Sequence, residues 1–249
     1  LVGLNKSDLL LLAARPAMGK TAFALNIATN VAAQSKRAVA IFSLEMSAEQ
    51  LVSRILSSVT PIPGMQLRTG RLSSRDWAKM AESMEFLSKT KMYIDDTPGI
   101  TVAEIKGKLR RIKDLGLVVI DYLQLITSGR RSDNRVQEVS EITRSLKNMA
   151  KELDVPVLTL SQLTRGPDSR TDHRPMLADL RESGSIEQDA DIVMFLFREG
   201  YYNKALEDQS VAECIVAKNR HGEVRTVELH WDDKYTRFSS VDRLREDEG

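Results

Sequence analysis

The stretch from Asp8 to Asn30 constrains the fold of this chain more than any other. It reads DLLLLAARPAMGKTAFALNIATN, in which an apolar run leads through a short flexible segment to a helix-forming stretch that opens at Gly19-Lys20-Thr21. A strand, a loop and a helix in that order are typical of a phosphate-binding loop. We therefore expect an α/β fold in which a buried strand delivers this loop to the start of a helix.

The loop also predicts how a nucleotide is bound. Backbone N–H groups at a helix start attract anions, Lys20 adds a positive charge, and the hydroxyl of Thr21 is a ligand for Mg²⁺. Ala14 replaces the first glycine of the usual pattern, and we expect it to be tolerated if its backbone angle is ordinary. The predicted nucleotide-binding residues of the loop are Arg15, Pro16, Ala17, Met18, Gly19, Lys20, Thr21 and Ala22.

Composition narrows the class of protein. A chain of 249 residues with 42% hydrophobic content can bury one large α/β core, and we expect a single domain over residues 1–249. The single cysteine, Cys214, indicates a reducing, cytoplasmic location, and no apolar run reaches membrane-spanning length. With 36 basic and 35 acidic residues the net charge is +1, so any contact with nucleic acid must come from local clusters.

Further apolar runs predict the rest of the sheet. Buried parallel strands are expected at 38–42, 117–121, 155–160 and 192–197, with a short strand at 92–95 and amphipathic helices between the strands. Alternating residues on either side of the turn at 219–223 predict an antiparallel hairpin that extends the sheet. The fold class is thus a mostly parallel central sheet with helices on both faces. We expect residues 127–135 to be mobile and the charged tail, 242–249, to be frayed.

A second signal for a phosphate site is Asp121. It ends the apolar run of the strand predicted at 117–121, so it should lie at the carboxyl edge of the sheet, where the loop containing Lys20 also lies. Asp121 can then hold Mg²⁺ through its water shell, opposite Thr21. The pattern is weak when it stands alone and strong when it is paired with the phosphate loop.

Five separated motifs point to one family. They are the phosphate loop, SLEM at 43–46, VIDYLQ at 119–124, LSQL at 160–163 and RESGSIEQDAD at 181–191. In this order and spacing the chain resembles the C-terminal motor domain of DnaB-type replicative helicases from about Leu4 to Ser240. The resemblance implies a RecA-like fold, ATP and Mg²⁺ as cofactors, and a homohexameric ring that unwinds DNA in the 5′–3′ direction. It also implies primase and a helicase loader as partners, and an N-terminal collar domain and linker helix that we expect to lie outside this chain.

The resemblance assigns roles around the nucleotide. Glu45 matches the catalytic glutamate that polarises the attacking water, and Gln162 matches the sensor of the γ-phosphate. Arg54 matches an arginine near the nucleotide, although a surface ion pair is nearly as good an explanation. Lys218 and Arg220 match basic fingers that enter the site of the neighbouring subunit, where a cation supplied in trans accelerates hydrolysis by about 10³–10⁵-fold. An ordinary basic hairpin turn is the alternative for this pair.

The resemblance also implies contacts with single-stranded DNA. Arg181, Glu182 and Gly184 match the loop that lines the channel of the ring and holds DNA phosphates. Arg165 and Arg170, with Arg174, lie on a second, less well supported channel loop. Aromatic residues make up 5% of the chain, and these loops contain none. We therefore expect binding that follows the DNA backbone with little base stacking.

Two other functions remain open at this point. A RadA-like or RecA-like recombinase would share the fold, but such proteins lack the RESGSIEQ run, and duplex unwinding would separate the two. A non-motor ATP-dependent ring or loader protein is the other alternative. Turnover that is stimulated by DNA would argue against it.

Overall fold

The computed structural model describes residues 3–127, 135–180 and 184–241. Nine strands in these ranges form one sheet in the order β3-β2-β4-β5-β1-β6-β7-β8-β9. The strands are β1 Leu9–Ala14, β2 Ala38–Ser43, β3 Met92–Asp95, β4 Leu115–Asp121, β5 Val157–Gln162, β6 Ile192–Phe197, β7 Val211–Asn219, β8 Arg225–Asp232 and β9 Arg237–Ser240.

The helices occupy the connections between the strands and cover both faces of the sheet. They are α1 Lys20–Ser35, α2 Ala48–Val59, α3 Gly64–Thr69, α4 Ser74–Ser88, α5 Val102–Leu109, α6 Arg135–Leu153, α7 Gly166–Ser169, α8 Gly184–Asp189 and α9 Glu199–Tyr202. Residues 128–134 of the polar stretch, the tail at 242–249, and Arg181 and Glu182 lie outside the described residues.

The middle of the sheet is buried on both faces. All six residues of β1 are buried, and β1 pairs in parallel with β5 on one side and β6 on the other. One core packs α1 against the sheet through residues such as Leu25 and Ala28, and a second core packs α6 through residues such as Val139 and Leu146. Burial on both faces explains why these strands read as continuous apolar runs.

The predicted fold class is confirmed, and local signals explain much of it. Strands β1 to β6 are parallel, and β7 and β8 form the expected antiparallel hairpin. Ser47 and Gln50 form the expected capping box of α2, with reciprocal backbone and side-chain hydrogen bonds. The structure adds α3, α7, α8, α9 and β9. Each has four to six residues, too short for a periodic pattern to show in the sequence.

The topology separates two edges of the sheet. Loops that follow β1, β2, β4 and β5 leave from the carboxyl edge of the parallel strands, which is where ligands bind in such sheets. Strand β7 runs antiparallel to β6, and its last residue, Asn219, pairs with Ile192 at the beginning of β6. The β7–β8 turn therefore lies at the opposite edge. Among the described residues, the helices are too short or too polar to span a lipid bilayer.

Candidate nucleotide-binding site

The loop between β1 and α1 has the geometry of a phosphate cradle. Ala14 ends β1 in strand conformation, as its substitution for glycine requires. The left-handed positions come later, at Ala17 with φ 66° and Gly19 with φ 93°. A Cβ atom on Gly19 would lie 2.9 Å from the ring of Phe238. Glycine is therefore required at position 19 for both its backbone angle and its packing.

Three polar side chains meet beneath this loop. Thr21 Oγ1 donates a 2.6 Å hydrogen bond to Asp121 Oδ2. Lys20 Nζ lies 3.5 Å from Asp121 Oδ1 and 4.8 Å from the centre of the Tyr122 ring. Asp121 is the last residue of β4 and is 2% exposed, so the strand holds its carboxylate at the carboxyl edge. The sequence predicted this meeting of Thr21, Lys20 and Asp121.

These residues suit a magnesium-bound triphosphate. Lys20 Nζ and Asp121 Oδ1 are buried and have no hydrogen-bond partner in the part of the chain that the structure describes. Burial lowers the pKa of Lys20, while the charges of Asp121 and Glu45 act in the opposite direction. A buried ammonium and a buried carboxylate oxygen that face each other at 3.5 Å without forming a hydrogen bond are expected where a phosphate and a metal ion bind. The site therefore fits both groups.

Glu45 and Gln162 lie at the carboxyl ends of β2 and β5, two strands that are separated by β4. Glu45 is exposed in the bend that follows β2. Its negative charge interacts electrostatically with Lys20 and with Tyr122. Gln162 ends β5, the strand between β1 and β4, and pairs with Ala14 in the register of the sheet. A carboxylate and an amide thus lie at the same edge of the sheet as the phosphate loop, and their roles at a γ-phosphate stay predictions.

Arg54 is placed less directly. It is exposed on α2 and lines a cavity of about 670 Å³ together with residues such as Met46 and Asp233. The cavity begins next to the bend that holds Glu45. The structure gives Arg54 no contact with the phosphate loop among the described residues, so its role at the nucleotide stays a prediction.

Arg198 is a residue of the site that the sequence did not indicate. It follows β6 directly, and its Nη1 donates a 3.5 Å hydrogen bond to the carbonyl of Ala17 in the phosphate loop. Its guanidinium lies 4.6 Å from the ring centre of Trp231. Burial lowers the pKa of Arg198. Arg198 follows β6, which is next to β1 in the sheet. The sequence alone does not give the order of the strands, so it could not place Arg198 beside the phosphate loop.

Lys218 and Arg220 lie at the other edge of the sheet. Lys218 Nζ donates hydrogen bonds to the carbonyl oxygens of Glu187 and Ala190, at 2.5 and 2.7 Å, at the end of α8. Arg220 donates to the carbonyl of Gln188 and lies 3.7 Å from the carboxylate of Asp191. The six residues of β1 separate this edge from the phosphate loop of the same subunit by about 20 Å.

The predicted DNA-contacting residues have different surroundings. Gly184 begins α8, directly after the residues that the structure does not describe. Arg165 is exposed, and its side chain has no hydrogen bond or ion pair within the described ranges. Arg170 makes a forked ion pair with Asp179, and Arg174 makes one with Glu213. On the second loop, Arg165 is thus the arginine whose positive charge is not paired with a carboxylate among the described residues, so it is free to bind a DNA phosphate.

The fold and the site together define a RecA-like phosphate-loop nucleotide-binding domain. Residues 1–240 match the family model for the DnaB-like helicase C terminal domain. The chain therefore belongs to the family of DnaB-like helicase C-terminal domains.

Similar proteins and structures agree with this assignment. The chain is 55% identical to the replicative DNA helicase DnaC of Bacillus subtilis, with 99% of this chain and 55% of the relative covered. It is 56% identical to the replicative DNA helicase DnaB of Geobacillus stearothermophilus, with 97% and 54% covered. The chain spans about half the length of these relatives.

Two solved structures share the fold. One, described as an ATPase domain, superposes with a TM-score of 0.92 at 40% identity, covering 96% of this chain and 86% of that one. The other is the structure of a DnaB-like replicative helicase and its interactions with primase. It superposes with a TM-score of 0.93 at 40% identity, covering 96% of this chain and 59% of that one.

Proposed function

We propose that this chain is the motor of a replicative DNA helicase, in which Mg²⁺-dependent ATP hydrolysis at the subunit interfaces of a ring drives translocation along single-stranded DNA and duplex unwinding. The observation that carries the proposal is the convergence of Lys20, Thr21 and Asp121 beneath the phosphate loop, with two buried polar atoms that form no hydrogen bond among the described residues. The names of the relatives support the helicase activity and do not favour a recombinase or a non-motor ring.

Each residue then has a defined task. The N–H groups at the start of α1 and the ammonium of Lys20 bind the β- and γ-phosphates. Thr21 and Asp121 would hold the Mg²⁺ ion, which neutralises charge on the phosphate oxygens. Glu45 accepts a hydrogen bond from the attacking water and orients it, and Gln162 contacts the γ-phosphate region from β5. The guanidinium of Arg198, which lies over the buried ring of Trp231, offers a flat surface beside the loop that suits the nucleotide base.

Arg220 and Lys218 act in trans in this proposal. Their turn lies at the edge of the sheet opposite the phosphate loop, so neither side chain can reach the nucleotide of its own subunit. Arg220 is 49% exposed, and its guanidinium can therefore meet a neighbour. A cation that enters the site of the adjacent subunit makes hydrolysis depend on assembly.

An apolar groove supports assembly into a ring, which we propose to be hexameric. The groove has a volume of about 520 Å³ and is lined mainly by apolar side chains of α2 and α4, including Val52, Leu56, Trp77 and Met80. Trp77 is 56% exposed in the single chain. Exposed aromatic side chains in such a groove indicate an interface. We propose that it receives the linker helix that the resemblance implies for an adjacent subunit.

The remaining partners follow from the same family membership. We propose that Arg181 and Gly184 contact the phosphates of single-stranded DNA and that Glu182 orients its neighbours in the same loop. Arg165 would be a second contact, and Arg170 would brace its own loop. Primase is a proposed partner because one similar structure is that of a DnaB-like replicative helicase and its interactions with primase. A helicase loader is proposed on the family resemblance. The lone buried Cys214 supports a cytoplasmic location.

Steady-state kinetics tests the proposal. ATP hydrolysis and unwinding of a forked duplex are measured with and without single-stranded DNA, for the wild type and for Lys20→Ala. The proposal predicts hydrolysis that DNA stimulates, unwinding that requires ATP, and the loss of both in the variant. Strand exchange without unwinding would favour a recombinase instead. Hydrolysis in a ring that is indifferent to DNA would favour a non-motor protein.

A further inference from the structure

Arg15 belongs to the phosphate loop, but its side chain points away from the cradle. Its Nε and Nη2 donate hydrogen bonds to the two carboxylate oxygens of Asp168, at 3.1 and 2.5 Å. Its Nη1 donates a 3.1 Å hydrogen bond to the carbonyl of Leu163. All three nitrogen atoms of the guanidinium are therefore engaged by the segment that follows β5. A fork of this kind fixes both distance and orientation.

The far side of Asp168 is held as well. The hydroxyl of Tyr202 donates a 3.0 Å hydrogen bond to Asp168 Oδ1. The ring of His173 stacks on that of Tyr202 with 4.2 Å between their centres, and His173 Nδ1 lies 3.0 Å from the carbonyl of Pro167. The short helix α7, which carries Asp168, is thus held between the phosphate loop and the segment after β6.

The segment around Asp168 is closed at its base. Leu163 pairs with Leu180 in an antiparallel bridge, and the N–H of Thr164 donates to the carbonyl of Asp179. The forked ion pair of Arg170 with Asp179 adds a second closure. Residues 163–180 therefore form one braced loop, which starts directly after Gln162 and ends directly before Arg181.

We propose that the ion pair between Arg15 and Asp168 is a mechanical link that carries the nucleotide state of the phosphate loop to the braced loop at 163–180 in the same subunit. Arg15 is then a positioning residue and not a phosphate ligand. The link rests on the proposed function, because the braced loop precedes the proposed DNA contacts. It acts in parallel with Gln162, which would report the γ-phosphate from the base of the same loop.

The decisive variant is Asp168→Asn in the assembled protein, because it weakens the fork and leaves every proposed nucleotide ligand in place. Asp172→Asn is the matched control. It removes the same charge from the same loop, at a side chain that is 62% exposed, lies 3.9 Å from Arg170 Nε and has no hydrogen bond or ion pair with Arg15 in the described residues. Tyr202→Phe removes a single hydrogen bond from Asp168 and serves as a milder second variant.

Hydrogen exchange gives the readout that is independent of turnover. Amide exchange in peptides covering 163–180 is compared with and without Mg²⁺ and a non-hydrolysable ATP analogue. In the wild type and in Asp172→Asn, the analogue should slow exchange in these peptides. In Asp168→Asn the protection of the phosphate loop should persist, while the protection of 163–180 is lost. Tyr202→Phe should show a smaller loss of the same kind.

Kinetics gives the second readout. The stimulation of ATP hydrolysis by single-stranded DNA should fall by about 10-fold in Asp168→Asn, with basal turnover unchanged and KM for ATP within about two-fold of the wild type. Arg15→Lys keeps the charge and loses the fork, so its stimulation by single-stranded DNA should fall by a similar factor.

Two results would overturn the link. One is an unchanged exchange response at 163–180 in Asp168→Asn. The other is a large rise in KM for ATP in Arg15→Lys with the loop response intact, which would make Arg15 a phosphate ligand. The failure of the proposed function is distinguishable, because it appears as a wild type without DNA-stimulated turnover, whereas the exchange response of the braced loop is measured without DNA and without hydrolysis.

Discussion

Thr21 and Asp121 are 100 residues apart in sequence and 2.6 Å apart in space, where the hydroxyl donates to the carboxylate. The start of α1 and the end of β4 are thereby joined at the carboxyl edge of the sheet. The same two oxygen atoms are the hard ligands that Mg²⁺ prefers. The contact therefore brings the proposed metal ligands together within a single chain.

Removing the carboxylate of Asp121 should abolish metal-dependent turnover. In Asp121→Asn we expect ATP hydrolysis at saturating Mg²⁺ to fall by about 100-fold or more, because the proposed metal site loses the carboxylate that holds the ion through its water shell. Hydrolysis is measured across a range of Mg²⁺ concentrations. Asp154→Asn, which alters an exposed carboxylate that pairs with Lys6, is the control and should hydrolyse ATP at the wild-type rate. An Asp121→Asn protein with an unchanged Mg²⁺ dependence would show that the ion is held elsewhere.

Neutralising Glu45 should separate binding from chemistry. In Glu45→Gln we expect turnover to fall by about 10²–10⁴-fold, because the attacking water loses its base. The affinity for ATP should change little, since Glu45 is exposed beside the cradle and not within it. Fluorescent nucleotide binding and single-turnover hydrolysis measure the two quantities. Glu49→Gln, in the first turn of α2, is the matched control. Comparable turnover in the two variants would remove Glu45 from the mechanism.

The buried ion pair below β1 should matter for stability. Asp191 is 4% exposed and accepts hydrogen bonds from Lys147, at 2.5 Å, and from the N–H of Leu9. Lys147→Met leaves this carboxylate without its closest cation and should lower the free energy of unfolding by about 3–5 kcal/mol.

Urea denaturation measures this change. The exposed pair of Lys6 with Asp154 provides the contrast, and Lys6→Met should lower the free energy of unfolding by about 1 kcal/mol or less. Equal effects of the two substitutions would mean that the neighbouring Arg220 already compensates the charge of Asp191.

Cys214 should be inert to alkylation in the folded protein. Burial raises the pKa of its thiol to about 11. At pH 8 only about one thiol in a thousand is then ionised, and the thiolate is the reactive form. Reactivity should increase as the pH rises toward the raised pKa, and unfolding should restore it at pH 8. Iodoacetamide labelling followed by mass spectrometry measures the rate. Fast labelling of native protein at pH 8 would contradict the buried placement.

The sequence predicted the parts of this molecule whose signals are local. The apolar run of β1, the Gly19-Lys20-Thr21 turn and the capping box at Ser47 each depend on neighbouring residues, and the structure contains all three. The position of Asp121 was predictable because the last residue of a buried parallel strand lies at the carboxyl edge of the sheet.

Contacts between distant segments could not be predicted in this way. Arg15 meets Asp168 across 153 residues, and its place in the loop pattern suggested a phosphate ligand. Arg198 stacks on Trp231 because β6 and β8 lie close together in the sheet. The hydrophobic periodicity of the sequence does not give this order of strands. A role of Arg220 in trans was implied by resemblance and stays a proposal, which the antiparallel course of β7 supports by placing Arg220 at the edge opposite the phosphate loop.

A mixing experiment tests the central claim, that each site is completed by the adjacent subunit. Glu45→Gln has a defective site and an intact finger, whereas Arg220→Ala has an intact site and no finger. Each variant alone should hydrolyse ATP slowly in the presence of single-stranded DNA. When the two are assembled together, activity should reappear at those interfaces where an intact site meets an intact finger. Mixed assemblies with no more activity than the separate variants would contradict hydrolysis at shared interfaces.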